Sequence, residues 1–173
     1  MQYLFEFFEE DKKIKKHEKL LIDSVIEFMQ DKLKFKANRI TVKKKFSNTL
    51  IGDVVLSDAS INKGKFTLHF NPNQSYRMII GALIHELTHI KQISKGELSA
   101  SEDWKSVLWK DGTKLSVKDY KKVQKNYDNY KNLAWEKEAY DNQNNLKNEY
   151  ISSKYFKNLK GKNDTLDFII DNI

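Results

Sequence analysis

The stretch from Tyr76 to Lys95, YRMIIGALIHELTHIKQISK, decides how the chain is read. Set at about 100° per residue, Ile79, Ile80, Leu83, Leu87 and Ile90 form one apolar stripe, with Ala82, Ile84 and Ile93 on its flanks. His85 and His89 project from nearly the opposite side, together with Met78. A helix apolar around most of its circumference is a buried one, so its histidines meet a second layer of protein rather than open solvent. Four residues apart, they stand one helical turn from each other on one face. At that spacing two imidazoles grip one zinc ion, and Glu86 stands beside them to take a proton from the water the ion carries.

Composition narrows what else such a centre can use. The chain has no cysteine, so it has neither a disulfide framework nor thiolate ligands, and any zinc must be held by His, Asp or Glu. At 173 residues it is expected to be a single domain, 1–173, large enough for a real core. The start, MQYLFEFFEEDKK, lacks a basic region and its apolar run is broken by Glu6, which does not suit a secretory signal. No window reaches the apolar length of a membrane span, so the expectation is a soluble intracellular protein without a membrane partner. The formal charge of +7 and a pI near 9.3 would suit a polyanion such as nucleic acid. Nearly all of that charge is lysine, however, Arg39 and Arg77 being the only arginines, and dispersed lysines read as a solvated surface or an AT-rich coding bias.

Along the chain, residues 2 to 8 read as an arm or the lead-in to a helix. From Lys12 to Phe35 the positions Ile14, Leu20, Leu21, Val25, Phe28, Met29 and Leu33 recur at helical spacing, with His17 on the lysine-rich, exposed part. The period then changes. Arg39 to Phe46, Ile51 to Asp58 and Gly64 to Asn71 are short, rich in β-branched or aromatic residues and bounded by turn residues, which predicts a small three-stranded antiparallel sheet. In the last of these Phe66, Leu68 and Phe70 share one face, while Thr67 and His69 share the other, where solvent exposure is expected. Asn71-Pro72-Asn73 ends that strand and leads into the HELTH helix. A polar connection carrying Trp104 follows Gly96, and Val107 to Ser116 holds Asp111-Gly112, a two-residue hairpin turn. Val117 to Tyr130 reads as helical in part, Asn132 to Tyr150 as a full helix, and the tail as a loop at Gly161 with a docking helix at Leu166 to Ile170.

A catalytic zinc site takes three protein ligands and keeps one position for water. The longer HExxHxxGxxH pattern is absent, since Gln92 and Lys95 stand where its glycine and last histidine would be, and no histidine follows His89. The third ligand is therefore His17, His69 or a downstream carboxylate. In the helix containing WEKEAYD, Glu136 borders the apolar stripe of Trp135, Ala139, Leu146 and Tyr150 more closely than Glu138 does, and Asp141 points away. Glu136 is the first choice, with Glu138 in reserve and plain exposed helix-forming glutamates as the alternative. A small Ala139 one turn on lets two helices approach closely.

HELTH with a downstream E-x-x-A helix resembles the gluzincin arrangement of two histidines and one glutamate on zinc. More narrowly, strand–NPNQ–HELTHIKQ, then WKDG, then AWEKEAYDNQ resembles small SprT-like metallopeptidases of phage and bacterial genomes, over roughly Gly64 to Leu146. The resemblance implies an α+β, zincin-like domain: N-terminal helix, small antiparallel sheet, HExxH helix, hairpin and C-terminal glutamate helix. It implies Zn²⁺ on His85, His89 and Glu136, Glu86 as catalytic base, and a cytoplasmic metalloendopeptidase of a bacterial cell or its phage. Ala134 stands where that pattern has proline, and the third histidine of true SprT-type enzymes is missing, so their DNA-linked role is not carried over. The strand Lys65 to Asn71 could take an extended peptide along its edge, and Tyr140, Tyr127 or Tyr130 could steady the oxyanion. Two other functions stay open: a basic nucleic-acid-associated module, and a protein that binds a host factor on a zincin scaffold without turnover. An intact Glu86 weighs against the last, because a site without chemistry has no need of the base.

Overall fold

The computed structural model describes residues 14–45, 52–55 (backbone only), 64–103 and 105–173. The expected N-terminal arm, Trp104 and most of the segment around Ile51 to Asp58 lie outside these. The first element, α1 (Lys16–Leu33), buries Leu21, Val25, Phe28 and Met29 of the predicted stripe and Ile22 besides, while Leu20 and Leu33 are only partly buried. Its first turn is closed by Glu18, whose carboxylate accepts from the Lys15 backbone N–H at 2.6 Å, and its last by Lys34 in the left-handed region at φ 52°.

Three strands follow: β1 (Arg39–Lys44), β2 (Gly52–Val55) and β3 (Lys65–Phe70). Phe66, Leu68 and Phe70 are buried, while Thr67 and His69 on the opposite face are half-buried. The expected antiparallel sheet is corrected here. The order is β1-β3-β2, with β2 antiparallel to β3 (Val54 opposite Leu68) but β1 parallel to it (Val42 opposite Leu68). The chain reverses into β2 and reverses again into β3, so a third strand inserted between the first two must run with the first. Alternation in a strand reveals which face is buried, not which neighbour it pairs with or in which direction. A second correction follows from the same order. β3 is hydrogen-bonded on both sides, so it offers no edge to a peptide; β1 and β2 are the outer strands.

Asn71 caps the turn into the next helix, its side chain accepting from the Asn73 N–H at 3.0 Å, and Ser75 accepts from Met78 N–H at 3.3 Å to start α2 (Tyr76–Ser94). The helix ends in a Schellman motif, with Gly96 N–H on the Ile93 carbonyl, Glu97 N–H on the Gln92 carbonyl and Gly96 at φ 69°. Ile79, Ile80, Leu83, Ile84, Leu87 and Ile90 are all buried, and α2 packs against α1 and the β2–β3 pair on one side and against a later helix on the other.

The connection after α2 is more ordered than expected. It forms an antiparallel meander of β4 (Leu98–Ala100), β5 (Ser106–Trp109) and β6 (Lys114–Ser116), with Leu98 opposite Trp109 and Val107 opposite Leu115. The β5–β6 turn is not the two-residue type. Trp109 N–H bonds to the Thr113 carbonyl and Gly112 N–H to the Trp109 carbonyl, so Lys110, Asp111 and Gly112 form a three-residue loop with Gly112 at φ 90°. Asp111 then serves the turn by accepting from Thr113 N–H at 2.8 Å.

Two short helices, α3 (Val117–Val123) and α4 (Tyr127–Lys131), lead into α5 (Ala134–Ser152), which buries Trp135, Glu136, Ala139, Leu146 and Tyr150. The tail forms α6 (Lys154–Lys157) and α7 (Asp164–Asp171), and α7 docks through Leu166 and Ile169. A buried polar chain ties α5 to α1: Tyr150 donates to Ser24, which donates to the Tyr155 carbonyl. Among the described residues the architecture is thus α+β, with two three-stranded sheets and α2 at its centre. Leu83 lies fully buried on the stripe of α2 turned from its histidines, so Leu83→Ala is expected to lower unfolding stability by about 2–5 kcal/mol in urea titration.

Candidate metal centre

The face of α2 opposite its apolar stripe carries His85 and His89, and α5 carries Glu136 in its first turn. Where the two helices pack, the three side chains meet. His85 Nε2 and His89 Nε2 lie 3.2 Å apart, and Glu136 Oε2 lies 3.3 Å from each. A tetrahedral ion bonded at about 2.0–2.1 Å spaces its ligand atoms about 3.3–3.4 Å apart, so this triangle has the size such an ion requires. Among the described residues it is the one group of three metal-ligating side chains brought together.

Two observations fit these residues to a cation rather than to one another. Glu136 is 2% exposed, and its Oε2 accepts no properly formed hydrogen bond although it is buried. A buried, uncompensated carboxylate oxygen is costly, and the two imidazole nitrogens at 3.3 Å from it are atoms of a kind that can ligate a metal. The second observation is the tautomer of His89. Gln92 Nε2 donates to the Trp135 backbone carbonyl at 3.0 Å, which orients the amide, because a carbonyl can only accept. Gln92 Oε1 therefore faces His89 and accepts from Nδ1–H at 2.9 Å. The proton of neutral His89 is thereby held on Nδ1, leaving the Nε2 lone pair directed into the triangle.

Without an ion, the same charges must balance among themselves. Burial pushes the Glu136 pKa up, but the contacts to His85 and His89 and the Tyr130 hydroxyl outweigh it and hold the carboxyl at about 2. Burial pushes His89 down, but Glu136, the charge of Glu86 and the bond to Gln92 outweigh it and raise the imidazole to about 9. The metal-free centre is thus a buried ion pair. Half-buried Glu86 follows His85 on α2, and its charge, like that of Glu136, adds to the burial that first raises the pKa values of Tyr120 and Tyr140.

The other candidates sit elsewhere. Glu138 points out of the triangle into a network with Lys91 at 2.9 Å and Lys110 at 2.5 Å, which also contact Glu97. His17 is half-buried rather than exposed, and is hydrogen-bonded to the Tyr76 hydroxyl at 2.9 Å. His69 lies on β3 between Lys43 and Asp53 of the flanking strands, half-buried rather than exposed. Neither belongs to the group of three. Of the tyrosines, Tyr130 donates to Glu136 Oε1 at 2.5 Å and is committed there. Tyr140 packs its ring 4.4 Å from that of His85, and Tyr127, 63% exposed, abuts Tyr140. Gln92 had a signal in the sequence: at i+3 from His89 it shares the ligand face. The Trp135 carbonyl had none.

Compared with protein-family models, curated proteins and solved structures, the chain matches none.

Two outcomes follow from the geometry. Gln92→Ala removes the group that orients His89, and is expected to weaken Zn²⁺ binding by about 10–100-fold in competition with a chromophoric chelator, without unfolding the protein. The ion pair also sets a pH window for the metal-free protein. A raised His89 pKa contributes stability that is fully present below about 6.5 and lost as pH rises towards about 9. A depressed Glu136 pKa contributes stability that is present above the ordinary carboxylate value of 4.5 and lost only as pH falls towards about 2. Denaturation at stepped pH should show a smaller alkaline decline in Glu136→Gln than in the wild type, because only Glu86 and Gln92 then favour charged His89.

Proposed function

We propose that this chain is a zinc-dependent peptide hydrolase of gluzincin type, with His85, His89 and Glu136 as ligands and Glu86 as the general base. The observation that carries the reading is the triangle of His85 Nε2, His89 Nε2 and Glu136 Oε2, with edges of 3.2–3.3 Å and Glu86 beside it on the ligand helix. Bound there, zinc supplies Lewis acidity, drawing the pKa of a water towards about 7 and polarising a carbonyl.

The chain's own residues supply the rest. Glu86, half-buried on the ligand helix next to His85, takes a proton and later passes it to the leaving amine, acting as base and then as acid. Tyr140 packs on His85, and burial keeps its phenol protonated, so it is the donor we assign to the developing oxyanion. With β3 enclosed, the outer strand β2, which packs against α2, is the edge along which an extended peptide would add. The SprT-like resemblance of HELTHIKQ and WEKEAY supports the same assignment.

The test has two arms. Metal analysis of the purified protein should find about one zinc per chain in the wild type and in Glu138→Ala, and none in Glu136→Ala. Glu86→Gln should keep the zinc and lose about 10²–10⁴-fold of the turnover of an internally quenched peptide library. A wild type that takes up no zinc, or a Glu86→Gln variant that cleaves as fast as the wild type, would sink the proposal.

A further inference from the structure

We propose that Tyr130 is a positioning residue that makes Glu136 a one-oxygen ligand, and so keeps a coordination place free for water or substrate. This rests on the metal-binding reading above. A carboxylate approaching a small divalent ion can bind through one oxygen or through both. Three single-atom ligands leave one place in a tetrahedron, whereas a two-oxygen grip by Glu136 fills that place or crowds the ion into five-coordination.

The two oxygens of Glu136 are already divided. Tyr130 Oη donates to Oε1 at 2.5 Å, and Oε2 alone is left to the histidines, 3.3 Å from each Nε2 and with no hydrogen bond of its own. Because an ionised carboxylate can only accept, the phenol must be the donor, and rotating Oε1 into the centre would break that bond inside a buried setting. The phenol is itself held. Its ring packs on Tyr120 at 6.4 Å between centroids, and Tyr120 packs on Trp135, the neighbour of Glu136, at 6.2 Å. The backbone reinforces this: Asn126 caps α4 by accepting from Asn129 N–H at 3.1 Å, and the Tyr130 carbonyl accepts from Leu133 N–H at 3.0 Å, fixing the turn from Tyr130 into α5. Tyr130 and Glu136 thus stand six residues apart on a short, capped segment, and their distance does not depend on remote packing.

The test is a Co²⁺ titration of the wild type, Tyr130→Phe and Tyr120→Phe, with circular dichroism to follow folding. The wild type should give the intense visible band of four-coordinate Co²⁺. Tyr130→Phe keeps the ring and loses only the donor, and should give the weaker, shifted band of five-coordination together with about 10–100-fold weaker binding. Tyr120→Phe keeps the ring and removes a hydroxyl that contacts Tyr130 but not Glu136, so the bond to Oε1 stays and the wild-type band is expected. A wild-type spectrum in Tyr130→Phe, or an equal change in Tyr120→Phe, overturns the role of Tyr130 while the centre stands. A wild type that binds no Co²⁺ overturns the centre and this role with it. Should Tyr130→Phe fail to fold, the infrared carboxylate stretches of the metal-loaded wild type decide alone: a wide splitting shows one-oxygen binding as proposed, and a narrow one overturns it.

Discussion

The fold is organised around one costly group, the carboxylate of Glu136, which is 2% exposed at the interface of α2 and α5. Removing a carboxylate from water costs several kcal/mol unless charge and hydrogen bonds replace the solvent. Here the replacements come from opposite sides: Tyr130 from the segment leading into α5, and His85 and His89 from α2. The two helices must therefore approach closely and in one register. Ala139, fully buried one turn after Glu136, removes bulk on α5, and Gly81 on α2 leaves room for the Gln143 side chain, whose Nε2 would lie 3.0 Å from a Cβ there. Burial, helix spacing and the positions of the three ligand atoms are consequences of the same requirement.

That requirement also explains why the carboxylate that meets the histidines and the carbonyl that orients Gln92 come from adjacent residues of one helix. Trp135 offers its backbone carbonyl to Gln92, and Glu136 offers its carboxylate to the histidines. If α5 slid along α2, the tautomer of His89 and the third ligand would be lost together. The ion-pair network one turn away adds to this restraint. Lys91 of α2, Glu97 after it, Lys110 of the β5–β6 turn and Glu138 of α5 hold the meander against both ligand helices, with Lys110 also over the Trp109 ring. Lys91 and Glu138 are mostly shielded from water, at 14% and 23% side-chain exposure, so they are screened less than an ordinary surface pair.

This network marks where sequence reasoning stops. The His85–His89 spacing and the apolar stripe of α2 are local properties of a helix and could be read directly. Glu136 could be preferred over Glu138 because it borders the buried stripe of its own helix, yet the reason Glu138 turns away is Lys110, distant in sequence and invisible to periodicity. For the same reason β1 was expected antiparallel to its neighbours, since nothing in RITVKK encodes the partner it finds. The strand β4, LSA, is too short for alternation to register, and the three-residue loop differs from a two-residue turn only in the placement of one hydrogen bond. Tyr130 was visible as a hydroxyl near the site, but its commitment to Glu136 depends on the turn between α4 and α5.

The two histidines are not equivalent, and the difference bears on how the centre works. His89 has its Nδ1 bonded to Gln92, and hence a fixed tautomer and ring plane. His85 Nδ1 is buried without a hydrogen-bond partner, and its ring is held by packing, with Tyr140 at 4.4 Å and His89 at 4.9 Å between centroids. Packing restrains a ring less directionally than a hydrogen bond does. His89 is therefore set by a relay that ends in the backbone of α5, and His85 by the aromatic wall that runs out through Tyr140 to the exposed Tyr127. If the proposed centre takes a substrate along that wall, the substrate would press on the less constrained imidazole and leave the fixed one in place, so adjustment should fall on His85 rather than on His89 or Glu136.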